Sequence, residues 1–385
     1  EEELIEMLML KNFSGLNITI PYKKTVIPYC DIITPLAKEI GAVNTLYFND
    51  GKLIGDNTDY YGFIYAINRA SIDIDNKIVA ILGTGATSQT IQSALNHGFS
   101  GKPKEIILVS RNDQCGITYE SFHKNPNIEI IIDATPLGTS PNLAECNVDL
   151  DKFPNLLSVF DVTYNPKFTR LLLQAKDRHL TYSNGLPMLV AQAAKSAELF
   201  LGEKIPNNFI ESTIDFLSSK LYNYLLIGMP GSGKSFLGEN LGRLLNIDWF
   251  DMDAEIEKLI GMSCNEYITK NDEKHFREKE LQVAKRLSKV SGSVISTGGG
   301  TIIVPEAINL LRQNAITIFI DRPIDELETC DRPFSSNSIA LEKLLLNRMP
   351  LYKKFADVNF VWNDDINKLI DILGGKRNEK ISSNK

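Results

Sequence analysis

Gly228-Met229-Pro230-Gly231-Ser232-Gly233-Lys234-Ser235 stands between the apolar run Tyr224-Leu225-Leu226-Ile227 and the stretch Phe236-Leu237-Gly238-Glu239-Asn240-Leu241-Gly242-Arg243-Leu244-Leu245. The first flank reads as a short buried strand and the second has the apolar spacing of a helix. A glycine-rich turn in that place lets backbone N–H groups close around phosphate oxygens at a helix N-terminus. Lys234 then neutralises β/γ-phosphate charge, and the Ser235 hydroxyl ligates Mg²⁺. Gly228, Gly231, Ser232, Gly233, Lys234 and Ser235 are therefore the expected contacts of a nucleoside triphosphate. A glycine turn before an ordinary helix is the competing reading; the whole pattern and both flanks favour the phosphate loop. The loop begins past the middle of the chain, so the first half needs its own account.

A chain of 385 residues exceeds one ordinary core and points to two or three domains of roughly 150 residues each. No apolar run approaches the ~20 residues of a membrane helix, and Glu1-Glu2-Glu3 is unlike the basic start of a signal sequence, so the cytoplasm is the expected location. Cys30, Cys115, Cys146, Cys264 and Cys330 are odd in number and lack metal-ligand spacing, which suits reduced packing thiols. A formal charge of -7 and a pI near 5.4 disfavour a general nucleic-acid surface but allow a local basic pocket for a small anion. Oligomeric state is not legible.

Working backward from the loop, three blocks of different texture appear. Residues 1–69 mix short strands and helices, with Leu46-Tyr47-Phe48, Asn49-Asp50-Gly51 and Lys52-Leu53-Ile54-Gly55 reading as a hairpin. From Lys77, Ile78-Val79-Ala80-Ile81-Leu82 is a buried strand that runs into Gly83-Thr84-Gly85-Ala86-Thr87, a helix to about Gly98, and the strand Glu105-Ile106-Ile107-Leu108-Val109. Ile128-Glu129-Ile130-Ile131-Ile132 and Leu157-Ser158-Val159-Phe160-Asp161-Val162 extend an open parallel sheet. The expected limits are a first lobe at 1–69 completed by about 185–212, a nucleotide domain at 70–184, a linker at 213–222, the phosphate-loop domain at 223–373 and a polar tail at 374–385.

Gly83, Gly85 and Ala86, after a strand and before a helix, suit a dinucleotide pyrophosphate, although a tight ligand-free turn reads the same way. After the next strand, Ser110-Arg111-Asn112 offers an arginine where a carboxylate would select NAD, which suits a 2′-phosphate; an exposed loop arginine is the alternative. Asn17-Ile18-Thr19-Ile20-Pro21-Tyr22-Lys23 alternates like a strand that delivers Thr19 and Lys23 to one end. Gly41-Ala42-Val43-Asn44-Thr45 and Gly55-Asp56-Asn57-Thr58-Asp59 place amides and a carboxylate on turns. Such groups suit a polyhydroxylated ring, and a lysine oriented by Asp59 suits acid/base work in carbonyl reduction; a solvated Lys–Asp pair is equally compatible.

These segments, together with Asp133-Ala134-Thr135-Pro136-Leu137-Gly138, Asp161-Val162-Thr163-Tyr164-Asn165-Pro166 and Gly185-Leu186-Pro187-Met188-Leu189-Val190-Ala191-Gln192-Ala193, resemble shikimate dehydrogenase in order across residues 14–206. The resemblance implies NADPH-dependent reduction of 3-dehydroshikimate, with Lys23 and Asp59 as the catalytic pair and Thr19, Asn44 and Gln192 as substrate contacts. It further implies Gly83, Gly85, Ala86, Ser110, Arg111 and Gly185 at the NADP(H) site. Two departures carry expectations. The similarity starts beyond the family's Ser-x-Ser segment, and a substrate carboxylate without those hydroxyls would bind less well by about 1.5–3 kcal/mol per bond. The stretch between Arg111 and Ile128 is short for the family's helix.

Beyond the phosphate loop, Asp251 and Asp253 follow Trp249-Phe250 where a second strand would deliver them to the phosphates. One carboxylate suits Mg²⁺ and the other a substrate hydroxyl; an ordinary helix cap is the alternative. Ser296-Thr297-Gly298-Gly299-Gly300 leaves room for a small ligand against the backbone, and Arg277, Arg332 and Arg348 suit an anionic acceptor; a flexible turn and surface charges are the competing readings. Residues 224–360 resemble shikimate kinase through Phe250-Asp251-Met252-Asp253, Phe276-Arg277-Glu278, the triple glycine, Arg332-Pro333-Phe334 and Asn347-Arg348-Met349-Pro350-Leu351-Tyr352. That resemblance implies Asp253, Arg277, Gly298, Gly299 and Arg348 around shikimate, Asp251 at Mg²⁺ with Ser235, and Arg332 as a lid residue. Residues 321–332 are short for the family, and Phe236 stands where it often has threonine.

The expected class is α/β, a two-lobed dehydrogenase-like unit with a Rossmann NADP domain followed by a P-loop kinase domain. Both halves point to one metabolite, with 3-dehydroshikimate and shikimate as small-molecule partners and NADP(H), ATP and Mg²⁺ as cofactors. A kinase carrying an inactive dehydrogenase-like domain, and a binding module without chemistry, are the alternatives.

Overall fold

The first unit opens with the helix Glu2–Leu10, followed by a small mixed sheet of β1 (Gly15–Asn17), β2 (Ile32–Ile33), β3 (Thr45–Asn49) and β4 (Lys52–Asp56), in the order β1-β3-β4-β2. β3 and β4 form the expected hairpin. Asp50 and Gly51 both take positive φ, 49° and 73°, the two-residue turn whose twist matches its strands. The stretch from Asn17 to Lys23 departs from expectation, because β1 ends at Asn17 and turns occupy residues 20–26. Pro21 has no N–H to give a ladder. Turn bonds from Tyr22 N to Thr19 O (2.9 Å) and from Val26 N to Tyr22 O (3.2 Å) bring the chain round instead, so Lys23 is presented by a turn.

A second sheet comprises β5 (Ile78–Leu82), β6 (Glu105–Ser110), β7 (Ile117–Thr118), β8 (Ile130–Asp133), β9 (Ser158–Asp161) and β10 (Thr181–Ser183). Its order is β10-β9-β8-β5-β6-β7, with every pair parallel. Alternate residues face opposite ways: Val79, Ile81, Ile130 and Phe160 pack with Phe63, Ile91 and Leu95, whereas Ala80, Leu82, Ile131 and Val159 pack with Phe122, Phe153 and Leu172. Burial on both faces is why these strands read as unbroken apolar runs. β5 lies between β6 and β8, which opens a crevice at the carboxyl ends of the strands. The short stretch after Arg111 holds β7 and one helical turn, Tyr119–Phe122, capped by the Thr118 hydroxyl. The helix Leu186–Leu201 packs on the helix Asp59–Arg69 across Gly62, where a Cβ would stand 2.5 Å from the Met188 carbonyl.

The second unit is built on β11 (Asn223–Gly228), β12 (Trp249–Asp251), β13 (Val294–Ser296), β14 (Ala315–Asp321) and β15 (Val358–Val361), all parallel in the order β12-β13-β11-β14-β15. Leu225, Ile227, Ile295 and Phe319 face one helical layer; Tyr224, Leu226, Ile318 and Ile320 face the other. The phosphate-loop sequence therefore leaves the central strand.

The computed structural model describes residues 2–112, 114–327, 338–361 and 366–373. Its two compact units are Glu1–Leu217 and Ser218–Lys385, and the division falls inside the helix Asn207–Leu221, so the expected linker stretch is helical as far as Leu221. Among the described residues no helix is long and apolar enough to cross a membrane. Cys30, Cys115, Cys146 and Cys264 are free thiols, while Cys330 and the 374–385 tail lie outside the described residues.

Candidate active sites

In the first unit a cavity of about 320 Å³ is walled by Thr19, Lys23, Asn44, Asp59, Gly185 and Gln192, with Asn17, Thr87, Val162, Tyr164, Met188 and Leu189 completing much of the lining. Lys23 Nζ lies 2.5 Å from Asp59 Oδ2, and each side chain is only 12% exposed. Asp59 Oδ1 accepts a bond from Asn44 Nδ2 at 2.9 Å, and the same nitrogen lies 3.5 Å from Gln192 Oε1. Gln192 Nε2 is anchored on the Leu189 carbonyl at 3.0 Å. One ammonium, one carboxylate and two amides thus line one polar wall, a set able to orient a carbonyl or hydroxyl and exchange a proton with it. All five catalytic and substrate residues expected from the sequence meet here. Tyr164 was not singled out there; the only signal was its place in the Asp161 to Pro166 motif.

Gly83 follows β5 with φ at 97°, and a Cβ there would press on the Thr135 methyl at 3.1 Å. Gly85 caps the helix Ala86–His97 without any side-chain cap, and a Cβ at this glycine would meet nothing within 4 Å. Open backbone at the N-terminus of a three-turn helix fits a pyrophosphate. Ser110 is buried and its hydroxyl bonds to the Asn112 carbonyl, which leaves Arg111 exposed on the loop after β6. The group fits NADP(H), with Arg111 suited to the 2′-phosphate. Gly185 has a packing reason as well, since a side chain there would run into the Val162 carbonyl.

Beside this turn, Asp133 and Asp161 end β8 and β9 in direct register, both buried. Asp133 Oδ1 accepts from Thr135 N at 2.8 Å; Asp161 accepts from Thr163 N at 2.8 Å and from Thr169 Oγ1 at 2.6 Å. Burial raises both carboxyls above the ordinary 3.8, and the charge of Asp133 adds to the rise at Asp161. Above about pH 4 the folded pair holds more protons than the unfolded chain, so stability falls as pH rises, by at most ~1.4 kcal/mol per pH unit for each extra proton. Thermal unfolding of the first unit is expected to shift downward between pH 5 and pH 8, about the range over which the pair ionises. Asp133→Asn should flatten that slope; an unchanged slope would show that the pair does not titrate there.

In the second unit Gly228, Gly231 and Gly233 take φ of 157°, 81° and 86°, and Gly233 caps the helix Lys234–Leu245. Lys234 Nζ donates to the carbonyls of Gly228 (3.0 Å) and Met229 (2.8 Å), curling the loop around itself. The Ser232 hydroxyl is buried with no hydrogen-bond partner among the described residues, so the loop holds an unspent polar group where phosphate oxygens are expected. Ser235 Oγ donates to Asp251 Oδ2 at 2.5 Å, and Asp251 Oδ1 caps the next helix through Ala254 N at 3.1 Å. Asp251 is thus both a helix cap and half of an oxygen pair suited to Mg²⁺.

Each glycine of the triple run is pressed by a different neighbour. A Cβ on Gly298 would lie 2.5 Å from Asp253 Oδ1, on Gly299 2.6 Å from Pro230 Cγ, and on Gly300 2.5 Å from both terminal nitrogens of Arg277. The expected substrate residues therefore meet around one stretch of bare backbone beside the phosphate loop. Arg277 donates to Glu273 and Glu280, both at 2.8 Å; burial opposes its charge, but the two carboxylates more than offset this and raise its pKa. Glu273 and Glu280 went unassigned in the sequence, though their i−4 and i+3 spacing about Arg277 was the available signal. Arg348 Nη1 donates to the Gly299 carbonyl at 2.7 Å. Tyr352, stacked on Phe319 at 4.9 Å, points its hydroxyl to the same oxygen at 3.4 Å, and burial pushes its phenol up to about 12. Arg332 lies outside the described residues.

The family model for the shikimate dehydrogenase substrate binding domain matches residues 1–46. The shikimate dehydrogenase (NADP(+)) of Clostridium beijerinckii is 37% identical over 219 residues, 54% of this chain and 80% of that protein. The chain belongs to the shikimate dehydrogenase family. The enzyme of the same name from Clostridium perfringens is 35% identical over 231 residues, 57% of this chain and 84% of its own. A chorismate mutase/shikimate 5-dehydrogenase fusion protein from Clostridium acetobutylicum has a solved structure that matches with a TM-score of 0.51 at 32% identity, covering 56% of this chain and 81% of that one. Shikimate dehydrogenase 1 from Peptoclostridium difficile matches with a TM-score of 0.51 at 33% identity, covering the same shares, 56% and 81%. The second unit carries a shikimate kinase domain, matched over residues 230–371.

Proposed function

We propose that the first unit reduces 3-dehydroshikimate to shikimate and that the second phosphorylates shikimate to shikimate 3-phosphate. The chain is a bifunctional shikimate-pathway enzyme, an NADP-dependent shikimate dehydrogenase joined to a shikimate kinase. The observation that supports the residue-level reading is that, Arg332 apart, the expected catalytic and substrate side chains of each unit lie close together among the described residues.

NADPH, when bound, supplies the hydride. Lys23 delivers the proton to the oxygen that becomes the new hydroxyl, and Asp59 holds the ammonium in place. Thr19, Asn44 and Gln192 fix the ring through its hydroxyls; Gly83, Gly85, Ala86, Ser110, Arg111 and Gly185 form the cofactor side. In the second unit, ATP with Mg²⁺ supplies the phosphoryl group. Gly228, Gly231, Ser232, Gly233 and Lys234 cradle phosphates, Ser235 and Asp251 hold the metal, and Asp251 also orients the attacking hydroxyl. Asp253, Gly298 and Gly299 bound the ring, while Arg277 and Arg348 suit its carboxylate. The extents 1–69 with 185–212, 70–184 and 223–373 are the domains we assign, and the cytoplasm is the compartment that a cofactor pair of NADPH and ATP favours.

The intact chain, given shikimate, is expected to reduce NADP⁺ and, with ATP and Mg²⁺, to release ADP in a shikimate-dependent manner. NADPH absorbance and coupled ADP release on one sample check both. Kinase turnover without NADPH formation would remove the dehydrogenase assignment, and ligand binding without either turnover would remove both.

A further inference from the structure

Three hydroxyls meet behind the polar wall of the first cavity. Thr45 Oγ1 and Ser196 Oγ are 2.9 Å apart, Thr58 Oγ1 and Ser196 Oγ 3.0 Å, and Thr45 Oγ1 and Thr58 Oγ1 3.0 Å. All three residues are fully buried, and none is among those lining the cavity. They come from β3, from the turn entering the helix Asp59–Arg69, and from one turn beyond Gln192 on the helix Leu186–Leu201.

Counting protons gives this triangle a direction. Thr58 N, which can only donate, lies 2.7 Å from Asn44 Oδ1. That bond turns the Asn44 amide so that Nδ2 faces Asp59 and Gln192. One lone pair then remains on Asn44 Oδ1, with Thr45 Oγ1 at 3.0 Å and Thr58 Oγ1 at 3.2 Å competing for it. Ser196 spends its own proton on the Gln192 carbonyl at 3.1 Å, so its oxygen is free to accept from the threonine that loses. Both threonine protons thus have an acceptor within 3.2 Å, one in Asn44 Oδ1 and the other in a neighbouring hydroxyl oxygen; the next oxygens, Gln192 Oε1 for Thr58 and Asn17 Oδ1 for Thr45, are 3.4 and 3.5 Å away.

We propose that Thr45 and Ser196 are positioning residues for the reduction: they lock the Asn44 amide, and through it set Asp59 and Gln192 at the cavity wall. The proposal rests on the dehydrogenase reading of the first unit. With the triangle broken, Asn44 Oδ1 still accepts from Thr58 N but loses the hydroxyl support beside it, so the amide can rock about that bond, which draws Nδ2 from Asp59 and loosens the partner of Lys23.

The test compares Thr45→Val, which keeps shape and loses the hydroxyl, with Thr45→Ser, which keeps the hydroxyl. Thr45→Val is expected to lower kcat/KM for 3-dehydroshikimate about tenfold, with Ser196→Ala close behind and the double variant no worse than about twice the larger single effect. Thr45→Ser should return to within about twofold of the parent, and the KM for NADPH should stay unchanged in all of them. Parent-like kcat/KM in both Thr45→Val and Ser196→Ala would overturn the proposal. So would equal losses in Thr45→Val and Thr45→Ser, which would make the role one of packing. Should Thr45→Val fail to bind NADPH, its fold is lost and Ser196→Ala decides by the same readouts. If the parent itself reduces nothing, the dehydrogenase reading has failed; shikimate titration calorimetry then decides, since a locked amide still requires the serine variant to bind more tightly than the valine variant.

Discussion

Replacing Lys23 by alanine is expected to lower 3-dehydroshikimate reduction by about 10²–10⁴-fold, the usual contribution of a placed general acid. The side chain is nearly enclosed and its ammonium sits 2.5 Å from Asp59 Oδ2, which holds its proton at one place on the wall. Asn44 and Gln192 carry amide protons that are not given up at neutral pH. The loss should fall on kcat more than on the KM for NADPH, because the dinucleotide turn at Gly83 to Ala86 lies on a different element. Steady-state NADPH absorbance on the intact chain reads it. A rate within tenfold of the parent would mean that a water or another side chain supplies the proton. Shikimate phosphorylation by the same sample should hold, and its loss would contradict independent chemistry in the two units.

Lys234→Ala should give the complementary result, with phosphorylation reduced by about 10²–10³-fold or more, the cost of removing one preorganised charge from developing phosphoryl charge. The structure adds a second reason. Lys234 Nζ spans the loop to the Gly228 and Met229 carbonyls, so the alanine variant loses both the cation and the contacts that curl the loop. ATP affinity and turnover should therefore fall together, in contrast to Lys23→Ala, where cofactor affinity is spared. Shikimate-dependent ADP release measured over a range of ATP concentrations separates the two parameters. Retained ATP affinity with lost turnover would assign Lys234 to the transition state alone.

Much of the site was legible because short-range chemistry writes it. The phosphate loop, the Gly83-Thr84-Gly85 turn and the Asp50-Gly51 hairpin turn each need particular backbone geometry within a few residues, and the strands around them are apolar on both faces. The strand drawn from Asn17 to Lys23 failed at the same scale, where alternation continued past a proline that a ladder cannot use. The partners of Arg277 were within reach of helical spacing and were passed over, since glutamates on an exposed-looking helix usually serve solubility.

What the sequence by itself determined was the kind of chemistry: which segments bind phosphate, which residue types crowd near them, and which family order they follow. Tertiary structure decided the distances. Asn44 meets Gln192 across 148 residues and Thr45 meets Ser196 across 151, contacts created when the helix Leu186–Leu201 settles on the first lobe. Asp133 faces Asp161 only because β8 and β9 pair in that register. The three consecutive glycines acquire their separate reasons only when Asp253, Pro230 and Arg277 close on them from three elements. Local sequence sets dihedrals and periodicity; register and side-chain packing between distant segments set which polar atoms share a proton, and those depend on the whole core being formed.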